Sequence, residues 1–97
     1  MYTLGVWRVK PGNEAAFVAA WKELGRIFAR LPQPPVGKGT LIQSLADPLL
    51  FYSFGQWDTL ADIQAMRNSP AAQEGINRVR VLCSEATPGS FRVVAEA

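Results

Sequence analysis

Near the start of the chain the apolar side chains change their spacing from two to three and four, and this change separates a strand from a helix. Residues 2 to 10, Tyr-Thr-Leu-Gly-Val-Trp-Arg-Val-Lys, are rich in β-branched and aromatic types and stop at Pro11-Gly12, which predicts a strand closed by a turn. Asn13 stands where a helix N-cap belongs, and Glu14 sits in the first turn against the positive end of the helix dipole. Phe17, Trp21, Leu24, Phe28 and Leu31 follow at spacings of three and four, so an amphipathic helix is expected from about 14 to 31.

Pro32, Pro34, Pro35 and Gly37 break that helix, and the stretch from Lys38 to Ala46 reads as a second strand that ends at the Asp47-Pro48 turn. Leu49 to Gln56 is apolar on both sides, which predicts a strand covered on both faces. Asp58 is placed to cap the next helix, whose Leu60, Ile63 and Met66 share one side, and Ser69-Pro70 restarts it as a cap followed by a proline at the first helical position. A further helical segment is expected over about 70 to 86 with Ile76, Val79, Leu82 and Cys83 inward, ended by Thr87-Pro88-Gly89. Ser90 to Glu96 alternates and predicts the last strand.

The order is strand, helix, strand, strand, helix, strand. This predicts one α+β domain over residues 1–97, with the ferredoxin-like β-α-β-β-α-β arrangement, an antiparallel sheet and right-handed crossovers. The helices cover one face of such a sheet. With 48% hydrophobic residues, three Trp, five Phe and two Tyr in 97 positions, the chain holds more apolar surface than one small core needs. A sheet-to-sheet homodimer, the dimeric α+β barrel, buries the excess.

Charge and cysteine content narrow the function. A net charge of +2 with a pI near 9.0 is no nucleic-acid signature, and Lys22, Arg26 and Arg30, although spaced four apart, read as a solvated helix face. Cys83 is the only cysteine and histidine is absent, which leaves no intrachain disulfide and no ligand set for a metal. No apolar run reaches the length of a membrane span and the first ten residues alternate instead of forming a signal core, so a soluble cytoplasmic protein is expected.

Several segments together resemble the antibiotic biosynthesis monooxygenase family of dimeric α+β barrels. These are Val6-Trp7-Arg8-Val9-Lys10-Pro11-Gly12, the Phe17/Trp21 helix, Phe51-Tyr52-Ser53-Phe54-Gly55-Gln56-Trp57-Asp58, and Ser69-Pro70 after the short helix. The resemblance implies a small-molecule pocket between sheet and helices in each subunit, used without metal or flavin. In it an acidic phenol or quinol-type substrate ionises and its anion passes an electron to dioxygen. Trp57 matches a Trp that such enzymes set against the ligand. Where they have an Asn four residues earlier, this chain has Ser53, and at two positions where many members carry His it has Met66 and Ala71. Without histidine, haem ligation by imidazole and the commonest base near neutral pH are both absent.

Each candidate has a second reading. Trp57 is either ligand-facing or a core aromatic where strand meets helix, and Ser53 either lines the pocket or bonds its own backbone. Arg67 and Arg8 suit a phenolate or carboxylate, although a surface position is the usual case for an arginine. Tyr52 is better placed for packing than for proton relay, Asp58 and Asp62 are explained by a helix's first turn, and Cys83 reads as a small buried hydrophobe. The expected binding site is therefore Trp57, Ser53 and Arg67 bordering one cavity, with Phe17, Trp21 and Met66 among its walls. Two functions are carried forward: cofactor-independent oxidation of a small aromatic or quinol-type metabolite, and a non-catalytic ligand-binding or structural barrel.

Overall fold

The computed structural model describes residues 1–97. Its elements are β1 (Tyr2–Val9), α1 (Glu14–Ala29), β2 (Val36–Gln43), β3 (Leu50–Gln56), α2 (Leu60–Asn68), α3 (Pro70–Arg80) and β4 (Cys83–Phe91). The strands form one antiparallel sheet in the order β2-β3-β1-β4. This is the α+β, ferredoxin-like arrangement, with helices on one face.

The helix starts are made by different groups than the sequence suggests. Asn13 makes no side-chain cap to α1; instead the Gly12 N–H donates to the Glu14 carboxylate at 2.8 Å. Thr59, not Asp58, caps α2, its hydroxyl accepting from the Asp62 N–H at 3.1 Å. Ser69 caps α3 as expected, with Pro70 in the first turn, where a missing N–H costs nothing.

The end of the chain departs furthest from expectation. The helix expected to reach residue 86 stops at Arg80, and Cys83 begins the last strand instead of lying on a helix face. Thr87-Pro88-Gly89, read as the turn after that helix, lies inside β4, and residues 92–97 carry no regular structure. Pro88 is tolerated because β4 pairs only with β1 and so forms an edge of the sheet. Apolar Val79, Leu82 and Cys83 prolong the helical spacing by chance across the helix-to-strand join.

Two clusters of buried residues lie between sheet and helices. Trp7, Val9, Phe17, Leu24, Phe51, Val79 and Cys83 form one; Trp57, Ile63, Met66 and Ala72 form the other, and Phe28 and Ile76 pack against both. Gly75 lets α3 approach α1: a Cβ there would stand 2.8 Å from the Ile27 side chain and 3.0 Å from that of Leu24. The opposite face of the sheet carries Ile42, Tyr52, Phe54 and Phe91, each exposed in the single chain. The second face expected to be covered along β3 is thus apolar but open within one chain.

Candidate functional site

The cavity arises from a gradient of side-chain size along two paired strands. On their helix-facing side the register sets Trp7 opposite Phe51, Gly5 opposite Ser53 and Thr3 opposite Gly55. Trp7 and Phe51 fill their end by packing on Phe17, with ring centroids 5.8 and 4.8 Å from it. Toward the other end only Thr3, Gly5, Ser53 and Gly55 rise from the sheet. Helices held off by large side chains at one end cannot close on small ones at the other, and a space of about 780 Å³ remains. Its volume falls in the range usual for small-molecule sites.

The walls are aromatic and aliphatic. α1 supplies Trp21, Leu24 and Phe28, α2 supplies Met66, and α3 supplies Ile76. Trp57 closes one end, 1% exposed, with its ring edge on Phe28 at 5.6 Å. The Trp21 ring lies within 3.6 Å of where a Cβ on Gly39 would stand, so the edge strand β2 comes in close beneath α1.

Two indole-to-hydroxyl bonds fix the floor. The Trp7 indole N–H donates to the Ser53 hydroxyl at 2.9 Å, a buried bond, and the Trp57 indole N–H donates to the Thr3 hydroxyl at 3.1 Å. The first depends on Gly5: a Cβ there would stand 2.7 Å from the Trp7 indole nitrogen and 2.9 Å from the Ser53 hydroxyl. Ser53 therefore lines the cavity and bonds a side chain, not its own backbone.

Arg67, in the last turn of α2, also borders the cavity. It donates to the Ser90 hydroxyl at 3.1 Å, and its buried Nε has no partner. Of the six expected site residues the structure brings together Trp57, Ser53, Arg67, Trp21 and Met66. Phe17 stands apart from them: fully buried between Trp7 and Phe51, it belongs to the core that props the cavity open.

Other candidates lie elsewhere. Arg8 points away from the cavity to Asp47, 2.7 Å distant, and this bond raises the Arg8 pKa. The same bond, helped by the Leu49 N–H, holds the Asp47 carboxyl below its ordinary value. Cys83 is outside the cavity, and burial pushes its thiol up, away from reactivity. No three His, Cys, Asp or Glu side chains gather into a set that could hold a metal ion. No helix is long and apolar enough to cross a membrane.

The chain thus forms an α+β domain in the order β-α-β-β-α-α-β with an apolar cavity above its sheet, floored by hydroxyls and walled by indoles. The sequence profile described as antibiotic biosynthesis monooxygenase matches residues 1–78, and the chain belongs to that family. Its structure is similar to that of a single-residue mutant of SnoaB, a cofactor-independent oxygenase from Streptomyces nogalater. The identity is 18%, the TM-score 0.86, and the match covers 98% of this chain and 93% of that one. It is also similar to candidate antibiotic biosynthesis monooxygenases from Nitrosomonas europaea, at 21% identity and TM-score 0.77 over 98% of this chain and 100% of that one, and from Bordetella bronchiseptica, at 22% and 0.77 over 95% and 96%. At such identities the likeness shows the fold. No functionally curated protein matches the chain in sequence.

Proposed function

We propose that this chain is a cofactor-independent oxygenase of the cytoplasm, working as a homodimer, that oxidises a small aromatic or quinol-type metabolite in the cavity beneath α1. The observation that carries the reading is the cavity itself: about 780 Å³, with Trp21, Phe28 and Trp57 as walls and hydroxyls for a floor. Flat aromatic rings suit aromatic walls. Membership of the family supports the reaction class.

The chemistry asks little of side chains as acids or bases. A phenol or quinol conjugated with a methylene loses one proton to give an anion whose charge reaches that carbon, now CH. The anion gives one electron to dioxygen, the radical pair recombines at the CH carbon, and the peroxide anion takes up a proton to become the hydroperoxide. Loss of water leaves a carbonyl. The sum, CH2 and O2 to C=O and H2O, balances without an external reductant. The residues' part is to hold the anion, exclude water and fix its geometry. No carboxylate or histidine lines the cavity, so ionisation proceeds to solvent and is favoured by nearby positive charge.

The test is to screen phenols, quinols and flavonoids for thermal stabilisation of the purified chain, then follow oxygen uptake with those that bind. Uptake that Trp57→Ala reduces at least tenfold is the expected result. Stabilisation without uptake for every binder would leave the second reading, a ligand-binding barrel without chemistry, which the missing side-chain base favours.

A further inference from the structure

The charges around the cavity are not distributed as the whole chain's are. The protein has ten Lys and Arg against eight Asp and Glu. Lys22, Arg26, Lys38, Arg67 and Arg80 all line the cavity, and no acidic residue does. They come from four elements: α1, β2, α2 and α3. Only Arg26 has a carboxylate partner, Glu23 at 2.9 Å; Lys22, Lys38, Arg67 and Arg80 make no ion pair. On α1, Glu23 offsets Arg26 but leaves Lys22, one turn away, without a partner, and like charges at that spacing repel. Four of the five are exposed and Arg67 is half-buried, so the positive charge gathers at the mouth.

The floor makes a separate demand. A hydroxyl has one proton to donate and two lone pairs to accept with. On Ser53 and Thr3 one acceptor site is taken by an indole N–H, and neither hydroxyl donates to any protein acceptor. An O–H that accepts from one side is a better donor on the other. Both indole N–H groups are already engaged, so a ligand meets the hydroxyls and not the nitrogens. Thr3 and Ser53 lie diagonally across the β1–β3 pair, side by side on the cavity floor.

We infer that the cavity selects an anionic aromatic that also carries a carbonyl-type acceptor: the acceptor oxygen sits on the Ser53 and Thr3 hydroxyls and the anionic group lies at the mouth among Lys22, Lys38, Arg67 and Arg80. This rests on the proposed reading of the cavity as an aromatic site. Trp7 and Trp57 are then positioning residues that act through the two hydroxyls.

Three tricyclic probes separate the terms: anthraquinone-2-carboxylate with both features, anthracene-2-carboxylate without the carbonyls, and 2-(hydroxymethyl)anthraquinone without the charge. Their affinities are measured by titration calorimetry at two salt concentrations. The first is expected to bind about tenfold more tightly than either of the others, a difference typical of one good hydrogen bond or one charge contact. Ser53→Ala weakens both quinones about tenfold and leaves anthracene-2-carboxylate within twofold, and Thr3→Ser restores what Thr3→Val loses. Lys38→Gln with Arg80→Gln weakens only the carboxylates, and less so at high salt. Equal affinity for all three probes, or a loss in Ser53→Ala that is the same with and without carbonyls, overturns the inference and leaves the aromatic cavity standing. Binding of none of them removes both.

Discussion

The indole of Trp7 reaches Ser53 only because position 5 has no Cβ. Gly5→Ala puts a methyl group 2.7 Å from the indole nitrogen, so the ring must move and the bond to Ser53 must lengthen or break. The expected cost is about 1–3 kcal/mol, read by urea unfolding, together with a shift in tryptophan emission. Phe17 acts differently from the residue expected on sequence grounds. Fully buried between two aromatic rings, it is structural, and Phe17→Ala lowers the unfolding free energy by about 3–5 kcal/mol in the same experiment. Neither Trp7 nor Thr3 stood out in the sequence as a site residue. The alternation of β1 places Thr3, Gly5 and Trp7 on one face, but the partners that give them meaning, Trp57 and Ser53, lie across a register that only pairing reveals.

At the scale of elements, legibility followed the strength of the local signal. The spacing of Phe17, Trp21, Leu24 and Phe28 located α1 to within two residues of its end. The last strand was misplaced because Leu82 and Cys83 continue a helical spacing and Pro88 reads as a turn, whereas an edge strand accepts a proline. That shift also hid Arg80, which closes α3 at the cavity mouth. The turn between β2 and β3 has its own electrostatics. Arg8 and the Leu49 N–H depress the Asp47 carboxyl, and a carboxyl depressed in the folded chain favours folding above its unfolded pKa and loses that favour as pH falls through the folded one. Wild type is therefore expected to exceed Asp47→Asn slightly in stability at neutral pH. The gap closes below about pH 4 and in high salt, because both side chains are well exposed. Paired thermal scans from pH 7 to pH 2 check it.

For the whole molecule the open face of the sheet is the decisive surface. Tyr52 and Phe54 on β3, 40% and 38% exposed, stand beside Ile42 at 50% and Phe91 at 52%. We propose this aromatic patch, large for so small a chain, as the face on which a second copy docks. Light scattering at micromolar concentration is expected to give twice the mass of one chain, and Phe54→Glu, which sets an unpaired charge in the apolar patch, is expected to give a monomer. A monomeric wild type would remove the dimer proposal. The sequence disclosed the apolar excess and the doubly apolar β3. It did not disclose that the two faces of that strand serve different purposes: toward the helices the side chains shrink from Phe51 to Ser53 and Gly55, whereas Tyr52 and Phe54 point away from them.

The floor of the cavity is a single layer of backbone, with Gly5, Ser53 and Gly55 on one side and Leu4, Tyr52 and Phe54 on the other. In the proposed dimer, a substrate and a partner subunit press on opposite sides of the same strands. Two binding events that each still the same segment are thermodynamically reciprocal: whatever factor the partner adds to substrate affinity, the substrate adds to the partner's. Occupancy would then be reported by association. In sedimentation runs at decreasing protein concentration, the midpoint of dimer dissociation is expected to move to lower concentration when the cavity is filled, and an unmoved midpoint would mean that the two faces of the sheet are energetically independent.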